Sequence, residues 1–463
     1  MNSRTLRRWD VENSAFWHEE GRAIARLNLW ISIPALLLSF AVWMVWSVVV
    51  VRLPEVGFPY GTDQLFWLAA LPGLSGATLR IFYAFMVPIF GGRLWTVLST
   101  ASLLVPAVGI GFAVRDPTTS YGTMLLLALL CGFGGGNFAS SMANISFFFP
   151  KEQKGTALGL NAGLGNLGVS VMQFAVPLVI TGGVFGGLGG GPQATARGGA
   201  VWLQNAGFIW VPFIVVCVVA AWFGMHDIAS AKASFREQAV VFRRKHNWIM
   251  CWLYTGTFGS FIGFSAGLPL LIKAQFPGVD AVRYAFLGPL VGALSRPVGG
   301  WLADRLGGAR VTLWNFVAMA AAAGGVMAFL PEAGRGPGLH GGSFPGFLAM
   351  FLLLFLTSGI GNGSTFRMIP VMFLTLHERL ARERGAEGLA QARKDAAKEG
   401  AAVIGFSSAV AAYGAFFIPR AFGVSVQATG TPAGAFVGFI AVYLTCILVT
   451  WWVYARRRAE MPC

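Results

Sequence analysis

Two arginines, Arg80 and Arg296, lie inside stretches that otherwise consist of apolar and small residues and are long enough to cross a lipid bilayer. No carboxylate lies close to either arginine within its stretch. A charged side chain at the centre of a bilayer costs about 2.5–3.5 kcal/mol on insertion scales, so such a residue is retained for a function. Two positive charges without an acidic partner point to an anion, and the sequence therefore favours an anion transporter.

The composition is that of a polytopic membrane protein. Of the 463 residues, 56% are hydrophobic and 11% are charged, whereas soluble domains carry about 25% charged residues. A transmembrane helix needs about 20 mostly apolar residues. The sequence predicts an all-α integral membrane protein with twelve such helices, near residues 29–51, 62–87, 94–114, 121–148, 155–182, 201–224, 248–272, 282–303, 311–331, 345–371, 401–421 and 432–455.

The basic residues are unevenly distributed along a chain whose net charge is +15. Most of the 34 Lys and Arg residues fall in the termini and in the even-numbered loops between the predicted spans. By the positive-inside rule, both termini are expected in the cytoplasm. The positive charge is thereby explained by orientation, so no nucleic-acid partner is expected. The five Cys residues show no metal-binding spacing, so neither a metal nor a cofactor is expected.

An internal repeat relates the two arginines. The segment Pro72–Arg80 resembles Gly288–Arg296, and a Gly-Gly pair follows each arginine, at 91–92 and at 307–308. We therefore expect two six-helix halves, residues 1–225 and 248–463, joined by a basic cytoplasmic linker at 226–247. In many secondary transporters such a duplication places the substrate site near the midplane, between the halves.

Two glycine-rich stretches lie in the fifth and eleventh predicted spans. Their alignment places Gly163 opposite Gly405 and Asn166 opposite Ser408. Small residues four apart let helix backbones approach closely, so helix packing explains most of these glycines. A buried amide needs hydrogen-bond partners, and its NH₂ group can donate to an anion. Asn166 is therefore a candidate binding residue.

The second copy of the repeat continues into Gly300–Arg310, which resembles the signature loop of the major facilitator superfamily. In that family the loop joins the second and third spans of each half, and here it joins spans 8 and 9. The resemblance implies the major facilitator fold and a conformational-switch loop, whose aspartate caps or pairs across a helix junction. An ordinary charged turn is the alternative. The loop residues are Asp304, Arg305, Gly307 and Arg310, and the first-half copy, Ala84–Arg93, lacks the aspartate.

Essentially the whole chain resembles the nitrate/nitrite porter family, the NarK-type members of that superfamily. The resemblance rests on Phe85–Gly92, Asn137–Pro150, Gly159–Gly168 and Thr257–Gly267. It implies that Arg80 and Arg296 bind the oxyanion from opposite halves. It also implies aromatic walls around the anion and a further set of nearby residues: Phe138, Tyr254, Phe258, Asn166, Gly163, Gly165, Gly405 and Ser408.

The chemistry of the arginines fits this implication independently. Nitrate is planar, and a guanidinium offers two parallel N–H donors that match two of its oxygens, whereas lysine supplies charge without that geometry. Tyr254 and Phe258 are four residues apart and share one helix face. Without the family resemblance, core packing is the more frequent role for any single aromatic residue here.

Coupling to a proton usually needs a titratable group in the transport pathway. All nineteen Asp and Glu residues and all five His residues lie in termini, loops or span ends. We therefore favour exchange of nitrate for nitrite by alternating access across a bacterial cytoplasmic membrane, as part of nitrate assimilation and by a monomer. Proton-coupled nitrate uptake and nitrite export are the alternatives.

Two further alternatives and one residue complete the sequence-based interpretation. A polytopic membrane enzyme would need a nucleophile, an acid–base pair or a metal cluster near one face, and the sequence shows none, so we do not expect an enzyme. A nutrient sensor built on a transporter scaffold would normally carry an added soluble domain, and the predicted termini are too short for one. Arg367, in the tenth span, either extends to the cytoplasmic interface or lies near the transport pathway.

Overall fold

The computed structural model describes residues 4–196, 198–229, 242–333, 339–381, 385–456 and 458–461. Long helical segments dominate the chain. We number them α1 (Ser14–Val56), α2 (Thr62–Tyr83), α3 (Gly92–Ala113), α4 (Tyr121–Phe148), α5 (Lys151–Val179), α6 (Asn205–Gly224), α7 (Lys245–Gln275), α8 (Leu287–Leu306), α9 (Gly308–Ala328), α10 (Phe344–Leu380), α11 (Gly385–Ala412, continued by Gly414–Thr429) and α12 (Ala433–Ala455).

Short strands accompany these helices. Strand β1 (Thr5–Leu6) pairs in parallel with β4 (Asp227–Ile228). Strands β2 (Gln193–Ala194) and β3 (Ala200–Val201) form an antiparallel pair, and so do β5 (Glu332–Ala333) and β6 (Leu339–His340). Each strand is two residues long, so within the described residues the helices supply the architecture.

Eleven helices in the described part of the chain are long and apolar enough to cross a membrane, and they coincide with eleven of the twelve predicted spans. The remaining prediction, 282–303, corresponds mainly to α8, a helix of 20 residues. This helix is less apolar because it carries Arg296, Asp304 and Arg305 together with several glycines. The charges that suggested a function thus weaken the hydropathy signal of the helix that holds them.

Three helices extend beyond the predicted spans. Helix α1 begins at Ser14 rather than at 29, and α10 continues nine residues past the predicted end at 371 and reaches Leu380. Helix α11 begins at Gly385, although its stretch that is apolar enough to cross a membrane begins at Ala402, next to the predicted start at 401. Backbone hydrogen bonding within a helix does not stop at a membrane surface, so hydropathy marks the apolar part of a helix rather than its ends.

The chain packs as two compact units. Unit 1 comprises Met1–Ala233, Ser265–Leu290 and Ala415–Gly423, and unit 2 comprises Ser234–Phe264, Val291–Gly414 and Val424–Cys463. The predicted boundaries of the six-helix halves stay predictions. Residues 230–241 of the predicted linker lie outside the described residues.

Small residues set the helix packing in unit 1, where α1 contacts α4 and α5, and α2 contacts α4. A Cβ atom on Gly76 would lie 2.4 Å from Trp43 Nε1, and one on Gly168 would lie 2.0 Å from the carbonyl oxygen of Leu37. Only glycine leaves room for the Trp43 ring at the first position and for the Leu37 backbone at the second. The same unit contains ion pairs between residues far apart in sequence, including Arg420–Asp63 at 2.7 Å and Arg52–Asp280 at 3.0 Å.

Glycines also allow close helix packing in unit 2. Helix α10 contacts α9 and α11, and α9 contacts α12. A Cβ atom on Gly363 of α10 would lie 2.1 Å from the backbone oxygen of Arg296, and one on Gly299 of α8 would lie 2.0 Å from the carbonyl oxygen of Ile360. These approaches bring α10 directly against the part of α8 that carries Arg296.

Candidate functional site

Arg80 is a fully buried cation in α2, with 0% of its surface exposed. Its Nε donates to the carbonyl oxygen of Gly135 at 2.9 Å. The guanidinium carbon lies 4.8 Å from the ring centroid of Phe138 and 5.3 Å from that of Trp43. The indole is itself fixed, because Trp43 Nε1 donates to the carbonyl oxygen of Pro72 at 2.6 Å. Unit 1 therefore holds this positive charge by cation–π contacts and a charge-assisted hydrogen bond.

Arg296, the repeat-related residue in α8, is also buried but is held less tightly. It is 8% exposed, and its guanidinium carbon lies 5.0 Å from the ring centroid of Phe366. Within the described residues, its Nη1 is buried without a hydrogen-bond partner and the side chain forms no ion pair. A buried N–H group of this kind can donate to an anion.

Phe366 of α10 joins Arg296 to the predicted aromatic wall of unit 2. Tyr254 and Phe258 of α7 are 1% exposed and stack with ring centroids 5.4 Å apart and an interplanar angle of 15°. The ring of Tyr254 lies 6.4 Å from that of Phe366. A π-helical turn, Thr255–Gly259, follows Tyr254 directly and contains Phe258, and such turns are frequent at functional sites.

The two glycine-rich stretches contain glycines of two kinds. Gly165 serves packing, because a Cβ atom there would lie 2.6 Å from Leu36 Cδ2. Gly163 and its repeat partner Gly405 differ, because a Cβ atom on either would meet nothing within 4 Å. Helix packing therefore explains Gly165 but explains neither Gly163 nor Gly405.

The two polar residues of these stretches differ in their hydrogen bonding. Asn166 is 1% exposed, and its Oδ1 has no partner within the described residues. Ser408, at the equivalent position of α11, is 0% exposed, and its hydroxyl donates to the carbonyl oxygen of Gly405 in its own helix at 2.8 Å. The amide in unit 1 thus retains an unused acceptor, whereas the hydroxyl in unit 2 bonds locally.

In the predicted switch loop, Asp304 Oδ1 accepts from Arg367 Nε at 2.5 Å. Arg367 thus binds an acidic residue of the loop, a pairing that neither sequence interpretation anticipated. Arg305 lies over Trp301 with 4.3 Å between guanidinium carbon and ring centroid. Arg310 is exposed, and Gly307 has a φ of 89°, which favours glycine.

The first-half copy of this loop receives its aspartate from elsewhere in unit 1. Gly91 has a φ of 87°, nearly that of Gly307. Asp227 Oδ1 accepts from the backbone N–H of Arg93 at 2.8 Å, and Oδ2 lies 3.5 Å from Arg93 Nε. Both units therefore keep the glycine turn and a carboxylate beside it. In the first copy, the carboxylate comes from β4.

His226 lies beside this second carboxylate. Its backbone N–H donates to Asn28 Oδ1 at 2.9 Å, and its Nδ1 lies 3.3 Å from Asn28 Nδ2. Burial lowers the pKa of His226, and the positive charges of Arg4 and Arg93 lower it further, while Asp227 opposes them. The neutral ring, accepting from Asn28, is therefore favoured.

The structure thus brings Arg80 together with Phe138, Tyr254 with Phe258, and Gly405 with Ser408. Sequence reasoning missed Trp43, Gly135 and Phe366, which surround the two guanidinium groups. The repeat itself held no signal for them, because the aromatic neighbours of Arg80 and Arg296 do not occupy equivalent positions. The sequence offered one cue: Gly135 lies within the glycine-rich part of α4, and Phe366 lies three residues after the last glycine of α10.

Comparison with known proteins identifies the family. The model of the Major Facilitator Superfamily matches residues 35–392. The chain is 53% identical over 460 residues to the nitrate/nitrite transporter NarU of Escherichia coli, covering 99% of this chain and 98% of that protein. It is 44% identical over 463 residues to the probable nitrate/nitrite antiporter NarK2 of Thermus thermophilus, covering 98% and 97% of the two chains.

A more distant relative is the nitrite extrusion protein of Bacillus subtilis, 26% identical over 444 residues, with 94% of this chain and 97% of that protein covered. The matches span nearly the full length of both partners, so the predicted resemblance is confirmed. The chain belongs to the major facilitator superfamily and, within it, to the NarK-type nitrate/nitrite porter family.

Proposed function

We propose that this protein transports nitrate and nitrite across the bacterial cytoplasmic membrane, with both termini in the cytoplasm. The observation that carries the proposal is the pair of repeat-related arginines, Arg80 and Arg296, each buried and each stacked on an aromatic ring. The names of the full-length relatives, NarU and NarK2, support the choice of anion.

In this proposal the two guanidinium groups bind the same oxyanion. Each offers parallel N–H donors that fit the oxygens of a planar anion. The flat faces of Phe138, Tyr254 and Phe258 exclude water around it, which strengthens each electrostatic contact. Asn166, Gly163, Gly405 and Ser408 complete the proposed binding set, and Gly165 lets α5 approach Leu36 of α1 closely beside it.

The transport mode we propose is exchange of nitrate for nitrite. In a low-dielectric bundle, two uncompensated guanidinium charges repel each other, so the loaded carrier changes conformation more readily than the empty one. The return step then requires a second anion. Both anions carry one negative charge, so the exchange is electroneutral. We further propose that a monomer carries out the whole cycle.

Counterflow in proteoliposomes tests both parts of the proposal. Vesicles containing the full chain are loaded with nitrite, nitrate or neither, and uptake of labelled nitrate is followed with and without an inward proton gradient. We expect uptake only into vesicles loaded with either anion, whatever the gradient. Free entry into empty vesicles driven by the proton gradient would overturn exchange in favour of proton coupling. Absence of nitrate transport under every condition would overturn the proposed substrate.

A further inference from the structure

One buried amide in unit 2, Asn362 of α10, has no role in the site as described above. It is 2% exposed, and its Oδ1 has no hydrogen-bond partner within the described residues. Its Nδ2 likewise donates to no described residue. An amide that holds helices together differs in its Nδ2 group: Asn137 Nδ2 donates to Ser39 Oγ at 2.8 Å and to the carbonyl oxygen of Ser99 at 3.3 Å, although its Oδ1 also lacks a partner among the described residues. Buried polar groups without partners are rare and call for an explanation.

The position of Asn362 around its helix gives that explanation. Asn362 and Phe366 are four residues apart and therefore share one face of α10, and Phe366 is the ring that lies over the Arg296 guanidinium. Gly359 and Gly363, on the adjoining part of this face, lie against α8, so Asn362 lies beside the α8 contact. On another side of α10, a Cβ atom on Gly361 would lie 2.3 Å from Asn315 Nδ2.

Arg296 provides a complementary group. Its Nη1 is a buried donor without a partner, and Asn362 Oδ1 is a buried acceptor without a partner, on two helices that pack backbone to backbone at Gly363. A carboxamide can accept from a guanidinium N–H through Oδ1 while its Nδ2 donates to an anion oxygen. Neither arginine nor lysine combines these two abilities.

The repeat supplies a reason why unit 2 needs such an amide. Unit 1 has Asn166 in α5, whereas the equivalent position of α11 is Ser408, whose hydroxyl donates within its own helix. We propose that Asn362 is an anion-binding residue of unit 2, acting with Arg296 on the transported oxyanion. This inference rests on the proposed function. Each unit then presents an arginine, an aromatic ring and an amide, but α10 rather than α11 provides the second amide.

The test compares Asn362→Leu with a matched control, Asn315→Leu. Leucine has nearly the shape of asparagine without its polar atoms. Asn315 is a buried amide of the same unit, 6% exposed, whose Nδ2 contacts Met319 Sδ at 3.4 Å. Two quantities are measured on the full chain: the KM for nitrate in counterflow, and the thermal midpoint with and without nitrate.

We expect Asn362→Leu to raise the KM about tenfold, which corresponds to about 1.4 kcal/mol, and to shrink the nitrate-induced rise of the midpoint. Without nitrate, its midpoint should equal or exceed that of the unaltered protein, because an unpaired buried polar group is removed. Asn315→Leu should leave the KM unchanged. A purely structural Asn362 would give the opposite pattern, a lower midpoint with an unchanged KM, and that result overturns the inference.

Two further variants keep the test decisive. Asn362→Asp places a carboxylate beside Arg296 and should abolish nitrate counterflow, because the arginine then pairs with protein. Normal counterflow by this variant overturns the inference. If Asn362→Leu does not fold, Asn362→Ser replaces it with the same expected rise in KM. Arg296→Lys separates the two proposals: if it loses transport while Asn362→Leu stays normal, only the role of Asn362 fails, whereas normal transport by Arg296→Lys overturns the proposed function.

Discussion

The two units hold equivalent arginines in different surroundings. Arg80 is 0% exposed, lies close to two aromatic rings and donates to a backbone carbonyl, whereas Arg296 is 8% exposed and contacts the ring of Phe366. The two copies of the repeat thus share the arginine but differ in the residues that contact it. We infer that Arg80 is preorganised and that Arg296 is the more adaptable of the two.

The largest expected effect comes from replacing each arginine by lysine. Charge-assisted hydrogen bonds are worth about 1.5–3 kcal/mol, so each variant should weaken nitrate binding about 10- to 100-fold. Arg80→Lys should lie at the upper end, because lysine also loses the bond to Gly135 and the stacking on both rings. Measured as the KM for nitrate in counterflow, equal losses would remove the difference between the units.

Glycine substitutions distinguish packing from open space in α5. Gly168→Ala should destabilise the fold by about 1–3 kcal/mol, because its Cβ would lie 2.0 Å from the Leu37 carbonyl oxygen. Gly163→Ala and Gly405→Ala should fold normally, since neither Cβ meets an atom within 4 Å. Thermal unfolding of the purified variants measures this. A lowered midpoint for Gly163→Ala would contradict the difference between these glycines.

Replacing an aromatic neighbour tests how much each arginine depends on its cation–π contacts. A desolvated cation–π contact is worth up to about 2 kcal/mol. Phe366→Leu removes the ring described over Arg296, whereas Phe138→Leu leaves Trp43 beside Arg80. We therefore expect a rise of about three- to thirtyfold in the KM for Phe366→Leu and a smaller rise for Phe138→Leu. The reverse order would show that Arg80 is the less well supported charge.

Much of this architecture could be predicted from the sequence, because it depends on runs of apolar residues and on a repeat that are both visible in the sequence itself. Eleven spans follow from runs of apolar residues, and the repeat identifies Arg80 and Arg296 without any structure. The pairing of Asp304 with Arg367, and of Asp227 with Arg93, could not be predicted in this way. Each joins residues far apart in the chain, and the periodicity of a single helix carries no information about its partner.

The glycines of the signature stretches show the same limit within one helix. Gly163 and Gly165 are two residues apart and look alike in the sequence, yet a Cβ atom meets Leu36 at one and open space at the other. Their roles depend on which helix lies opposite. The same holds for Asn362, whose importance emerges only when α10 is placed against α8.

A smaller effect is expected from the carboxylates beside the two glycine turns. Asp304 and Arg367 are each 52% exposed, so Asp304→Asn should cost at most about 1 kcal/mol. Asp227→Asn should cost more than Asp304→Asn, because Asp227 is 16% exposed and accepts from the backbone N–H of Arg93. Thermal unfolding of both variants provides the measurement. A larger loss for Asp304→Asn would mean that the exposed pair of Asp304 and Arg367 contributes more to the stability of its turn than the partly buried Asp227 contributes to the other turn.

The smallest expected effect is a dependence of thermal stability on pH, and it arises from His226 beside the glycine turn of unit 1. The pKa of His226 is lowered in the folded protein, so the unfolded chain binds a proton more readily as pH falls below about 6.5. Stability should therefore decrease as pH falls through that value. Since His226→Gln removes the titrating ring, it should reduce the decrease in thermal midpoint between pH 7.5 and pH 5.5. An unchanged pH dependence in His226→Gln would mean that protonation of the ring does not disturb the contacts among His226, Asn28 and Asp227.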